Sequence, residues 1–536
     1  MDCHDAQELI GKEIAAHESA VRDLRAPRNT HAGISRLPIE VLSDIFLLAK
    51  LPYGKIYQET RENRGWLNVA GVCRSWRDIA LSAPSMWDTL DTSKLNTLDW
   101  AATVIARSKN VPLYVSCTYP HPQTDRAVLD FVLSHMPRIR GLEVYMNDST
   151  DVRIQDIIDM GSTQCALQTL TLDNRDYRYN ADNGGVDRFL AEVQMPHLRT
   201  LAVRSFTLPS IIPMLPQLRH LYYTSSLMSN SNSNTTVSQM LSFLRSTPSL
   251  ERLEIVGSFG TSDNGSKECT TVELTKLLSL SYKAARFEHA SLLRFLHYPP
   301  TSRVKFVSRS SPSDTTTCAT ELASIFTRME SSDMAATIET VSLATTDGVY
   351  FEMRMSSHDG LMLEIEFPVV GGEMLPLFRL PVMLPCSGAH TLHIREFCSA
   401  QVADWASFFT RHGQIQVLTA TEVDSNFFRA LLKPSESEPP PFMCLEHLFL
   451  RFCDIRDSDN AALVEQILKE HRNLEAHVEV TLEIWDCRVT EDSITRFKAY
   501  ANVEWDGDQR FVGDSEEEDE DDSDEDFESD GDDNED

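Results

Sequence analysis

Hydrophobic positions change their spacing several times along the chain, and each change predicts a different element. Before Arg25, Ile10, Ile14, Val21 and Leu24 recur at coiled-coil spacing, with His17 in the remaining seam position. That pattern predicts one amphipathic helix over residues 1–26, which Pro27 ends. Between Ile34 and Leu90 the period tightens: Pro38 stands where a first helical turn tolerates it, and Leu42, Ile45 and Phe46 fall on one face. Val69, Val72, Cys73, Trp76, Ile79 and Ala80 form a second stripe of the same period. Three short helices can barely bury a core of their own, so apolar residues on both stripes point to a partner.

From about Asn110 to Val503 one phrase returns, apolar-x-x-Leu-x-apolar, bounded by turn residues. Its clearest copies are Ile139/Leu142/Val144, Leu167/Leu170/Leu172, Leu198/Leu201/Val203, Leu218/Leu221/Tyr223, Leu250/Leu253/Ile255 and Leu445/Leu448/Leu450. Weaker copies stand at Ile338/Val341/Leu343, Ala389/Leu392/Ile394 and Ile415/Leu418, and between Ile255 and Val341 the phrase almost disappears. The nearest clear copies lie about 20 to 32 residues apart, the length of leucine-rich repeats, in which each strand adds to a shared sheet and a return segment covers its back. An α/β sheet with strands of similar length stays open as the alternative. The segments MPHLRTL, LPQLRHL and TPSLERL each place Pro just before the strand phrase, a repeated helix-ending signal. Asn147, Cys453 and Cys487 stand after strand phrases, where such repeats use Asn or Cys to satisfy turn backbone groups.

Strand alternation assigns the faces. Leu201 and Val203 are expected inside, with Thr200, Ala202 and Arg204 on the open face. The same register exposes His220 and Tyr222, Arg252 and Glu254, and His447, Phe449 and Arg451. Of these, Arg204, His220, Tyr222, Arg252, His447, Phe449 and Arg451 are the candidate substrate-binding residues, because aromatic and Arg side chains are favoured interface anchors.

Charge changes the picture at one end. Of the formal −32, about half comes from residues 514–536, which hold Asp or Glu at most positions and no Lys or Arg. Such a run repels itself and predicts a disordered acidic tail. So acidic a chain is not expected to bind nucleic acid directly. No apolar run reaches membrane-span length, and the N-terminus has no signal-like core, so a protein of the cytoplasm or nucleus with no membrane contact is expected. The eleven cysteines form no CxxC pair and read as reduced, packed thiols.

Within the second segment, LPxEhhxxIF (h apolar) followed by VCRSWRxhAxxxPxhW resembles the F-box family. The match comprises Leu37, Pro38, Glu40, Ile45 and Phe46, then Val72, Cys73, Arg74, Trp76, Arg77, Ala80, Pro84 and Trp87. The family's short link is replaced by the polar insertion LPYGKIYQETRENRG, a form that resembles mushroom-type fungal members. The resemblance implies docking on the linker Skp1, and through it on a cullin/RING ubiquitin ligase, by Leu37, Pro38, Ile39, Leu42, Ile45, Phe46, Val69, Val72, Cys73, Trp76 and Trp87.

The expected architecture is therefore α/β: a helix over 1–26, an F-box over 34–92, an irregular leucine-rich-repeat body over 110–503 that binds a substrate protein, and an acidic tail over 514–536. Self-association through the first helix is a further expectation. The alternative function is a Skp1-binding assembly or trafficking factor uncoupled from ubiquitination.

Catalytic chemistry finds no footing in the sequence. Gly260 and Gly265 have phosphate-loop spacing, but Ser266 and Lys267 follow in the wrong order. His390, His393 and His447, near Cys386, Cys398, Cys444 and Cys453, fit no closed zinc site. With no nucleophile elbow, HExxH helix or paired Walker motif, neither an enzyme nor a cofactor is expected.

Overall fold

The computed structural model describes residues 3–50, 65–91, 97–117, 134–146, 166–174, 193–206, 214–225, 235–259, 270–285, 292–310, 337–346, 350–368, 388–396, 401–435, 439–456, 458–474 and 479–507, with Val128, Phe131, Val132, Leu190 and Leu208. The chain divides into two compact units, Met1–Ser313 with Thr320–Ile325, and Asp314–Ala319 with Phe326–Asp536. The single body expected over 110–503 is thus shared between them. Asn147, the glycine-spaced loop, Cys386, Cys398 and the acidic tail lie outside the described residues.

The first unit begins with helix α1 (Cys3–Thr30), which runs through Pro27 rather than ending there. In the last turn a proline forfeits only the bond to the carbonyl four residues back, and few later bonds depend on it. A short 3-10 turn (Gly33–Arg36) leads into α2 (Ile39–Ala49), whose N-cap is Pro38. Helices α3 (Gly65–Val72) and α4 (Arg74–Ser82) follow, then a second 3-10 turn, Pro84–Trp87. Cys73 caps α4, its Sγ accepting from the Trp76 N–H at 3.5 Å. Helix α5 (Leu98–Arg107) completes this helical region.

The sheet of the first unit is parallel throughout. Its strands are β1 (Thr89–Asp91), β2 (Leu113–Cys117), β3 (Ile139–Met146), β4 (Thr169–Asn174), β5 (Thr200–Arg204), β6 (His220–Thr224) and β7 (Arg252–Gly257). β9 (Ser279–Ala284) and β11 (Arg303–Ser308) continue it, while β8 (Val272–Glu273) and β10 (Leu296–His297) pair separately. Each sheet strand pairs with its sequence predecessor in the sheet. The register aligns Val115, Leu142, Leu170, Leu201, Leu221, Leu253, Leu280 and Val304 in one buried row. A second row runs through Cys117, Val144, Leu172, Val203, Tyr223, Ile255, Tyr282 and Phe306. The phrase does not lapse after Ile255: Leu277, Leu280 and Tyr282 repeat it in β9, all buried.

The second unit holds β12 (Thr340–Thr346), β13 (Tyr350–Ser357), β14 (Gly360–Pro368), β15 (Thr391–Arg395), β16 (Val417–Thr421), β17 (His447–Arg451), β18 (Thr481–Trp485) and β19 (Asn502–Trp505). β12, β13 and β14 form an antiparallel excursion, which the repeat pattern did not predict. β13 and β14 alternate apolar and polar residues, placing Phe351, Met353, Met355, Leu363, Ile365 and Phe367 inside. β12 then pairs in parallel with β15, and β15 to β19 continue in order.

The ends of these strands repeat one conformation. Glu396, Glu422, Phe452 and Asp486, each the first residue after β15, β16, β17 and β18, have φ between 53° and 61° or, for Phe452, 52°. Ser205, after β5, does the same at 59°. The left-handed step turns each chain off the sheet at an equivalent position.

Candidate protein-binding surfaces

Helix α2 carries two apolar stripes. Leu42 and Phe46, four residues apart, are buried, and the Phe46 ring meets Trp76 of α4 at 5.0 Å. Val41, Ile45 and Leu48 recur on the other face at i, i+4, i+7 and are exposed, Leu48 to 84%. Leu37 and Ile39 before and at the helix start are exposed too, as is Val72 on α3 at 58%. A helix buries one apolar stripe when it stands against a single neighbour, so the second stripe lacks its cover within this region.

The F-box set expected from sequence is therefore divided by the structure. Leu37, Ile39, Ile45 and Val72 face solvent, as does Pro38. Val69, Cys73 and Trp76 are half-buried. Leu42, Phe46 and Trp87 are core residues: they hold the helices together and are not available to touch a partner. The Trp87 indole N–H donates to the Ala80 carbonyl at 3.1 Å, its ring lies 5.7 Å from Trp100, and the Arg107 guanidinium sits 4.6 Å from it. Val41 and Leu48 were missed, although their spacing with Ile45 is legible once α2 is read as two-faced.

The helical region is fixed to the sheet by polar links as well. Lys50, at the end of α2, pairs with Asp88 and donates to the carbonyls of Ser85 and Met86. The Asp88 carbonyl in turn accepts from the Tyr114 N–H of β2 at 2.7 Å.

On the open sheet face of the first unit, Thr200, Arg204, His220, Tyr222 and Glu254 are half-buried and Arg252 is exposed. Ala202 is buried, against expectation, because its methyl lies between the larger neighbours Thr171 and Tyr222 in register. Arg204 is held by Asp173 at 3.2 Å. Burial, with the Arg252 charge beside it, lowers the His220 pKa, and burial raises that of Tyr222, which hydrogen-bonds Arg252. In the second unit the His447 and Phe449 rings stack at 6.0 Å, and Arg451 pairs with Asp486 at 3.0 Å. The candidate substrate residues thus fall on two separate units.

Cys453 and Cys487 are buried, and the Cys453 N–H donates to Cys487 Sγ at 3.3 Å. The hydrogen-bonded neighbour and burial hold the Cys487 thiol well above its ordinary range, so it serves as a packed acceptor rather than a nucleophile.

Residues 34–93 match the F-box-like family, and the chain therefore carries an F-box-like domain. No curated protein was found that matches the chain. No helix among the described residues is long and apolar enough to cross a membrane.

Proposed function

We propose that the protein is the substrate-recognition adaptor of a Skp1–cullin–F-box ubiquitin ligase, of the mushroom-type fungal form. The observation that carries this reading is the exposed Val41/Ile45/Leu48 stripe on α2 of the F-box-like domain. With Leu37, Ile39 and Val72 it presents the aliphatic surface that a Skp1-type linker would cover. Chemistry would come from other subunits, and the adaptor would accelerate ubiquitin transfer by proximity.

We read the two units as leucine-rich-repeat-like frames for the substrate. Three features support this: one strand per phrase, a left-handed step after strands β15 to β18, and the Cys453/Cys487 contact between neighbouring turns. Half-exposed side chains on the open faces, such as Tyr222 and Phe449, then supply contacts.

The test is capture of partners from cells by the full chain. Ile45→Ala with Leu48→Ala is expected to leave the melting temperature within a few degrees, since neither side chain is buried, and to weaken the linker by about tenfold or more. Unchanged capture of linker, cullin and RING subunit by that variant would refute the assignment of the stripe. Capture of linker without cullin by the wild type would favour an assembly or trafficking role.

A further inference from the structure

The open face of β7, β9 and β11 carries a charge opposite to that of the whole chain. Register fixes its rows: Arg252, Ser279 and Arg303; then Glu254, Ser281 and Lys305; then Val256, Lys283 and Val307. These nine positions hold four cations and one carboxylate, within a chain of formal charge −32. Arg252, Lys283 and Arg303 are exposed and Lys305 half-buried. Elsewhere the cations of the open faces are matched at close range: Arg204 by Asp173, Arg395 by Glu396, Arg451 by Asp486. No ion pair of that kind is formed by Arg252, Lys283 or Arg303 among the described residues.

Along β11 the outward side chains read Arg303, Lys305, Val307, two cations and then an apolar group at every second residue. An extended peptide repeats its own outward side chains at about 6.6 Å, the same interval. From the unmatched charge and this spacing we infer that the face of β7, β9 and β11 binds an extended acidic polypeptide segment with carboxylates at alternate positions, followed by an apolar residue. Arg303 and Lys305 receive two successive carboxylates, Arg252 and Lys283 flank them, and Val307 meets the apolar side chain. Tyr222, in register with Glu254 and hydrogen-bonded to Arg252, keeps that guanidinium oriented at the border of the patch. The inference names the substrate class for the adaptor reading and rests on it for biological meaning, but the binding itself does not depend on Skp1.

The experiment uses the full chain and fluorescence anisotropy with a labelled peptide of alternating Glu and Ser ending in Leu, and a Lys-for-Glu counterpart. Saturable binding of the acidic peptide alone is expected, weakening from low to high salt because the contacts are exposed. Arg303→Glu with Lys305→Glu should weaken it by about tenfold or more at low salt, and Arg303→Ala with Lys305→Ala by less. Arg395→Ala, in the second unit, should leave it unchanged. Failure of the wild type to bind the acidic peptide, indifference to the β11 substitutions, or equally tight binding of a single-stranded RNA of the same charge would each overturn the inference. Linker capture is measured on the same variants. Its persistence would leave the adaptor reading standing where the peptide site fails, and its absence in the wild type would sink the adaptor reading alone.

Discussion

Cys487 shows how much a single side chain can do inside a repeated turn. Its sulfur accepts the buried Cys453 N–H, and a buried donor left without a partner costs about 1–3 kcal/mol. Cys487→Ala is expected to lose about that much stability in chemical denaturation, and Cys487→Ser, which keeps an acceptor, clearly less. Position in the sequence was enough to suggest this role for both cysteines, because each stands at the same distance from its strand phrase. The two histidines His220 and His393 make a different prediction. Burial lowers both pKa values below the ordinary 6.5, so the unfolded chain binds protons more readily than the folded one. Their contribution is fully present above pH about 6.5 and is lost as pH falls below it. Stability should therefore decline on acidification below that point, and His393→Asn should flatten the decline in melting temperature measured from pH 7 to 5. Charges that neighbouring strands bring beside a group, such as Arg252 beside His220, could not be read from sequence without the register.

At the scale of elements, the strand phrase proved readable wherever Leu or Ile filled it, and every quoted copy lies in the core. It was overlooked in β9 and β11, where Tyr282 and Phe306 take the last inward place and the flanking segments are polar. That lapse hid Lys283, Arg303 and Lys305, the residues with the most distinctive charge. In α2, apolar residues on two faces were merged into one stripe, so core and surface members of the F-box set could not be separated by spacing alone. The antiparallel excursion of β13 and β14 was masked by the same alternation that marks any half-buried strand. Gly257 ends β7 for a reason specific to its backbone: φ is +116°, and a Cβ there would lie 1.9 Å from Ser225 Oγ. Ser225 cannot yield freely, since its Oγ accepts from the Ser258 N–H at 2.9 Å and its own N–H donates to the Val256 carbonyl at 2.8 Å. Gly257→Ala should destabilise the protein by about 2 kcal/mol or more, through strain and a lost hydrogen bond, as read from the denaturation midpoint.

For the whole molecule, the order of strand pairing carries a consequence for how the protein is made. In each unit every described strand pairs with one that precedes it in the sequence, and most of these partners are immediate neighbours in the sheet order. No strand must wait for a partner not yet synthesised. A chain leaving the ribosome can therefore add each strand to an edge that already exists, closing loops whose entropy grows only slowly with length. Ribosome-bound chains halted so that β7 has just cleared the exit tunnel are expected to yield a protease-resistant N-terminal fragment. Chains halted after β12 alone should not yet protect Val341 and Leu343, whose neighbours in β13 and β15 are still to come. If resistance arises only on release of the complete chain, growth from the N-terminus is excluded and the sheet must assemble as one late event.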